Sequence, residues 1–289
     1  MKNKDTKLRV ITSFIVAPFA VLGFVNFYAL IALVSAVTMI TSYEYIKFSM
    51  QESDHPILKL VIPLIITITS LSYGFLLEKT AFIKEVDFRP ESVFVLSFIG
   101  ISIAIIVSLK DFNSALPFIL NSTLALFWVG FNLSFFYQIY LSFGGAVALL
   151  VLTCVWFFDI GAFVVGMKFG KIRISPHYSP KKSLEGVFGG IGFTIAYIFL
   201  FELGASLINI FNNPDGSPRA FFDFFTLIIM GLVIAFFGTF GDIFESALKR
   251  SKHVKDSGNI MPGHGGLLDR IDGVLFVAPV LYIFLLILT

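Results

Sequence analysis

The stretch from Gly241 to Asp272 reads G-D-I-F-E-S-A-L-K-R-S-K-H-V-K-D-S-G-N-I-M-P-G-H-G-G-L-L-D-R-I-D, and its charges are spaced for work on phosphate. On a helix, Asp242, Glu245 or Ser246, and Lys249 recur at three- and four-residue steps and share one face. Asp269 and Asp272, three apart, fall at the start of a second apolar run, where a helix N-terminus also favours anions. Pro262, Gly263, Gly265 and Gly266 break the chain between them, giving a turn that can bring the two helix ends together. Acidic helix ends flanking Lys249, Arg250, Lys252, Lys255 and Arg270 suit a metal-bound phosphate: carboxylate oxygens hold Mg²⁺, and Lys and Arg neutralise the remaining oxygens. Asp242 and Asp269 are the expected metal ligands, with Asp272 supporting. Lys249, Arg250 and Lys255 are expected on phosphate, and His264 either bonds a phosphate or caps the turn. The alternative, a basic membrane anchor with incidental ion pairs, accounts for the lysines but not for the aspartates.

A second basic loop, Lys168 to Gly186, contains two Ser-Pro turns at Ser175 and Ser179, which leave Lys181, Lys182 and Ser183 just before another apolar run. It is no phosphate-binding loop of the Walker type, because the spacing of Gly166, Gly170 and Lys171 fails that pattern. Phosphate contact is preferred over a plain headgroup anchor.

The rest of the chain must hold these residues at a membrane. With 57% hydrophobic residues and 14% charged among 289, there is too little polar surface to cover a water-soluble globule. A bilayer core of about 30 Å needs about 20 apolar residues per helix. Nine stretches qualify, near 10–26, 28–46, 57–77, 92–109, 116–137, 143–167, 186–210, 222–244 and 271–288. The expected fold is therefore all-α, a polytopic integral membrane helical bundle. It is read as a single membrane domain over 1–289, with N-terminal helices of unclear role over 1–140 and catalytic helices and loops over 141–289. Of the 21 Lys and Arg, all but Lys79, Lys84, Arg89 and Arg219 fall on one set of alternating sides. The positive-inside rule then places the N-terminus and both basic loops in the cytoplasm. A net charge of +2 gives no reason to expect nucleic acid.

Carboxylates within spans are costly and need explaining. Glu44, Asp159, Glu202, Asp242 and Glu245 all qualify. Glu44 reads as structural or interfacial, near the cytoplasmic end of the second span, and Glu202 as a packing or snorkelling residue. The lone Cys154, in an apolar run, reads as a packed thiol.

Ser246, Lys249-Arg250, Lys255-Asp256, Gly258, Pro262, His264-Gly265-Gly266, Asp269-Arg270 and Asp272 together resemble the signature of the phosphatidate cytidylyltransferases, or CDP-diacylglycerol synthases. The S-P-K-K-S-L-E-G run from Ser179 to Gly186 and the W-x-x-D from Trp156 to Asp159 resemble that family too, which adds Asp256 to the catalytic candidates and Ser179, Arg270 and Asp159 to the substrate-binding ones. The first five spans match only in hydrophobic character. The resemblance implies that CTP and phosphatidate give CDP-diacylglycerol and pyrophosphate. It also implies Mg²⁺, with a second cation left open, an active site on the cytoplasmic side of the membrane, and a homodimer; the compact length suggests a bacterial inner membrane. A CTP-dependent polyprenol kinase would share lipid and nucleotide but transfer the γ-phosphoryl. A transporter would gather its polar residues near the midplane instead. The D-G-x-x-A-R pattern of the CDP-alcohol phosphotransferases is missing.

Overall fold

A computed structural model of the chain describes residues 18–50, 55–82, 90–109, 111–208, 224–261, 263 and 265–288. The helices are α1 (Phe27–Ser49), α2 (Pro56–Phe82), α3 (Ser92–Ser108), α4 (Phe112–Leu124), α5 (Asn132–Phe143), α6 (Gly145–Phe169), α7 (Leu184–Ile208), α8 (Phe224–Ser251) and α9 (Leu268–Leu288), and a π-helical stretch Ala125–Phe131 joins α4 to α5. Among the described residues, seven helical segments are long and apolar enough to cross a membrane, counting Asn113–Phe143 as one, and Ser92–Ser108 is a shorter apolar helix. These eight correspond to eight of the nine stretches expected from hydropathy; of the first, 10–26, residues 10–17 lie outside the described residues. The chain is a multi-pass membrane protein. Side chains such as Ile57, Val107 and Ile287, each at least 75% exposed, suit lipid as their solvent.

The chain divides into two compact units. The first comprises Met1–Gly145 with Leu248–Ile271. It therefore includes the glycine-rich loop of the signature, which the sequence reading grouped with the C-terminal helices. Asn26 starts α1 by accepting the Ala29 N–H at 2.8 Å, a side-chain cap on an otherwise orphaned donor. Near the other end of α1, Tyr45 is buried, donates to Asn121 Oδ1 at 2.8 Å, and meets Phe48 and Trp128 edge-on. That bond satisfies the phenol where no water reaches it, and it fixes the turn of α1 that carries Glu44. Tyr73 accepts from Gln138 at 2.6 Å and packs on Phe94, so the same rule governs the middle of this unit.

The second unit comprises Ala146–Ala247 with Asp272–Thr289. Small residues set its helix crossings, as expected where lipid removes the hydrophobic drive for association and close packing must supply it. Between α6 and α7, Gly161 faces Phe193 and Gly190 faces Phe158. Tyr197 stacks on Phe157 at 3.8 Å and donates to Thr153 at 2.8 Å. Between α8 and α9, Gly273 packs on Gly238, and a Cβ at Gly241 would lie 2.5 Å from the Asp272 carbonyl oxygen. Gly241→Ala should therefore push these helices apart and destabilise the protein by about 1–3 kcal/mol, the usual range for overpacking. Thermal unfolding in detergent measures this, and an unchanged midpoint would contradict the close crossing.

The polar loop before α7 holds a short antiparallel ribbon, β1 (Arg173–Ser175) with β2 (Ser179–Ser183). Pro176 and Pro180 had suggested turns alone. The pairing instead continues to both sides of the Ser175–Ser179 turn, tied by Arg173 Nη1 donating to the Lys181 carbonyl at 2.9 Å. Glu185, in the first turn of α7, accepts the Lys171 N–H at 3.0 Å and the Ile172 N–H at 3.2 Å.

Candidate active site

In the first unit, α8 runs on past its apolar stretch as far as Ser251 and carries Lys249 and Arg250 on its last turn. It stops at His253, whose φ of 56° is left-handed, with the Val254 N–H folding back to the Lys249 carbonyl. Lys249, 7% exposed, donates to Asp269 Oδ1 at 2.5 Å. Asp269 also accepts the Ser257 N–H at 3.0 Å and the Gly266 N–H at 2.8 Å, both at Oδ2. One carboxylate thus gathers an ammonium from α8 and two amides from opposite ends of the 257–266 loop, a charge-assisted clamp. The loop chain fits this because Gly265 has a φ of 90°, and a Cβ there would stand 2.8 Å from Asp269 Oδ2.

A second carboxylate meets the same loop. Glu44 of α1, 2% exposed, accepts the Leu267 N–H at 3.1 Å, the Leu268 N–H at 2.9 Å and the Ser257 hydroxyl at 3.4 Å. The first amides of a helix have no partner within it, and the helix dipole there favours an anion. Glu44 supplies that anion to α9. The sequence marked this residue as an anomalous charge in an apolar span but gave no sign of its partners.

The second unit brings together another set. Lys182 of β2 pairs with Asp242 of α8 at 2.8 Å, where the side chains are 23% and 35% exposed, and Asp242 Oδ1 accepts from Ser246. The buried carboxylate of Asp272 lies within Coulombic range of Asp242, Glu245, Asp159 and Lys182, and its Oδ1 accepts the Gly273 N–H at 2.8 Å. The Gly241–Asp272 backbone approach is what carries the neighbouring Asp242 to this place. Asp242, Glu245 and Asp159 repel a negative charge on Asp272, and Lys182 attracts it. Among the described residues, no three His, Cys, Asp or Glu side chains form a group able to hold a metal by themselves.

The residues named from sequence thus fall as follows. Asp159, Lys182, Asp242 and Asp272 share one neighbourhood in the second unit. Lys249 and Asp269 form the clamp in the first. Of the two carboxylates expected to share a metal, Asp242 has Lys182 as its ion-pair partner and Asp269 has Lys249, each within its own unit. Arg250, Lys255, Asp256 and Arg270 are exposed, and Arg250 donates to the Val254 carbonyl. Ser183 is buried and caps α7 by accepting the Gly186 N–H at 3.2 Å, while Ser179 and Lys181 lie on β2. His264 and Pro262 lie outside the described residues. Glu44 and Ser257 belong to the set in the first unit and Glu245 to that in the second, although none of the three was a named site residue.

The first unit thus holds a buried cation–carboxylate clamp on a glycine loop, and the second a group of acidic residues beside a lysine. Residues 7–288 match the model of the cytidylyltransferase family. A phosphatidate cytidylyltransferase of Thermotoga maritima is 44% identical over 279 residues, covering 96% of each chain. One of Bacillus subtilis is 39% identical over 165 residues, 56% of each. One of Synechocystis is 36% identical over 147 residues, 50% of this chain and 45% of its own. The whole length of the chain, and not the signature alone, therefore places it in the cytidylyltransferase family.

Proposed function

We propose that this protein transfers the cytidylyl group of CTP to phosphatidate, forming CDP-diacylglycerol and pyrophosphate. The observation that carries the reading is the Lys249–Asp269 clamp, in which one carboxylate ties Lys249 to Ser257 and so brackets the exposed Arg250 and Lys255 of the chain between them. An oxygen of the phosphatidate phosphate attacks the α-phosphorus of CTP in line. The new P–O bond forms as the bond to the pyrophosphate oxygen breaks. The attacking phosphate is already ionised, so the chain need not supply a strong base; it contributes positioning and charge neutralisation. Arg250 and Lys255 neutralise the triphosphate, and Lys249, tied to Asp269, holds the chain that carries them.

Mg²⁺ fits the donors of the second unit: hard carboxylate oxygens in a cluster of excess negative charge, with one or two protein ligands and the rest supplied by phosphate and water. Asp242 and Asp272 are the residues that would hold it, and when bound it would polarise a phosphoryl oxygen. The distribution of Lys and Arg along the chain supports a cytoplasmic active face, where diacyl chains stay in lipid while the headgroup meets a water-soluble nucleotide.

The purified protein, given CTP and phosphatidate in mixed micelles, should form CDP-diacylglycerol, identified by mass spectrometry of the lipid fraction. Removing divalent ions with EDTA should stop the reaction and added Mg²⁺ should restore it. CTP consumption without a CDP-linked lipid would refute the transfer, and full turnover in EDTA would refute the metal.

A further inference from the structure

Glu44 belongs to the N-terminal helices, to which nothing above gives a part in the chemistry. We propose that it is a positioning residue for the transfer, acting through Ser257 and the Leu267 and Leu268 amides on the Lys249–Asp269 clamp. This rests on the function proposed above.

The observations are local to the first unit and agree with one another. Glu44 sits 213 residues from Ser257 and 224 from Leu268, yet it bonds both. Its two oxygens divide the work: Oε1 takes the Leu267 amide, while Oε2 takes the Leu268 amide and the Ser257 hydroxyl. The loop is shaped around it. A Cβ at Gly258 would stand 2.5 Å from Oε1, and one at Gly266 would stand 2.7 Å from Oε2. Asp269 grips the same two segments from their other donors, the Ser257 and Gly266 amides. Ser257 is thus held by its side chain to Glu44 and by its backbone to Asp269. If Glu44 is altered, the amides that orient Asp269 lose their second anchor, and the Lys249 ammonium loses its fixed partner geometry.

A glutamine at 44 keeps the shape but offers one acceptor oxygen and an NH₂ that confronts an amide donor. An aspartate keeps both acceptors on a stem shorter by one methylene. A merely structural role would lower stability and leave the turnover of the folded protein alone. The test uses full-length protein in micelles, with kcat and the KM for CTP measured separately beside thermal unfolding. The comparator is Ile66→Ala, which removes a fully buried side chain of α2 that makes none of these bonds.

We expect Glu44→Gln to lower kcat by about 30- to 100-fold with KM for CTP changed less than about threefold, and Glu44→Asp to recover to within about fivefold of the unaltered protein. Ile66→Ala should lose stability at least as far while its folded fraction keeps near-normal kcat. Glu44→Gln with kcat within about threefold of normal, or with a loss no larger than that of Ile66→Ala at matched stability, would overturn the proposal. If the unaltered protein forms no CDP-lipid, the transfer reading fails and the inference falls with it. Turnover by the unaltered protein with an unaffected Glu44→Gln removes the inference alone.

Discussion

Asp269→Ala should cost about three orders of magnitude in turnover while leaving membrane insertion intact. The change deletes an acceptor that holds the Lys249 ammonium and the Ser257 and Gly266 amides together, and it strands a cation that is 7% exposed. Removing one partner of a buried pair costs about 3–5 kcal/mol. At about 1.4 kcal/mol per decade of rate, a loop that must be held for transfer would lose roughly 10²- to 10⁴-fold. Asp269→Asn, which keeps one acceptor oxygen for the amides but not the charge for Lys249, should fall between Asp269→Ala and the unaltered protein. Initial rates with labelled CTP, beside the yield of membrane-extracted protein, measure the effect. A normal rate in Asp269→Ala would remove the clamp from the mechanism.

Asp242→Asn and Asp272→Asn test the second unit. Each subtracts one negative charge from the cluster with Asp159 and Glu245, so each should weaken cation binding rather than CTP binding as such. The expected result is a loss of about 100-fold or more in turnover at low Mg²⁺, with the half-activating Mg²⁺ concentration raised about tenfold or more. Asp242→Asn also releases Lys182 from its 2.8 Å partner. Lys182→Met should therefore raise the KM for CTP while leaving half-activation by Mg²⁺ within about threefold of normal. Half-activation unchanged in both aspartate variants would mean that the cation is held elsewhere.

Much of this protein could be read before any coordinates, because a bilayer permits few solutions. A backbone with no water to bond must close its own hydrogen bonds, so eight apolar stretches became eight helical segments near the expected positions. The ends shifted where a local effect outweighed hydropathy. Helix α8 continues to Ser251 because Ser246, Lys249 and Arg250 are compatible with helix on its polar face, and it stops where His253 turns left-handed. The ribbon Arg173–Ser175 with Ser179–Ser183 was hidden, since its pairing depends on a bond from Arg173 to the Lys181 backbone and not on any hydrophobic alternation.

The site was legible as a list of residues and only partly as a set of partners. Asp269 and Lys249 were named for one site by their types and spacing, but that they grip one another at 2.5 Å did not follow from either. Asp242 was placed near phosphate chemistry by its neighbours in sequence, whereas its pairing with Lys182 joins two segments that only packing can bring together. Glu44 shows the limit most clearly. Its cost in an apolar helix announces a purpose, but the donors that repay it lie more than 200 residues away.

The transfer is tested most directly by following two labels of CTP in one reaction with phosphatidate. The account predicts that label in the α-phosphate enters the lipid and label in the γ-phosphate leaves as pyrophosphate. Label from the γ-phosphate in the lipid, with CDP released, would contradict it and make the protein a lipid kinase.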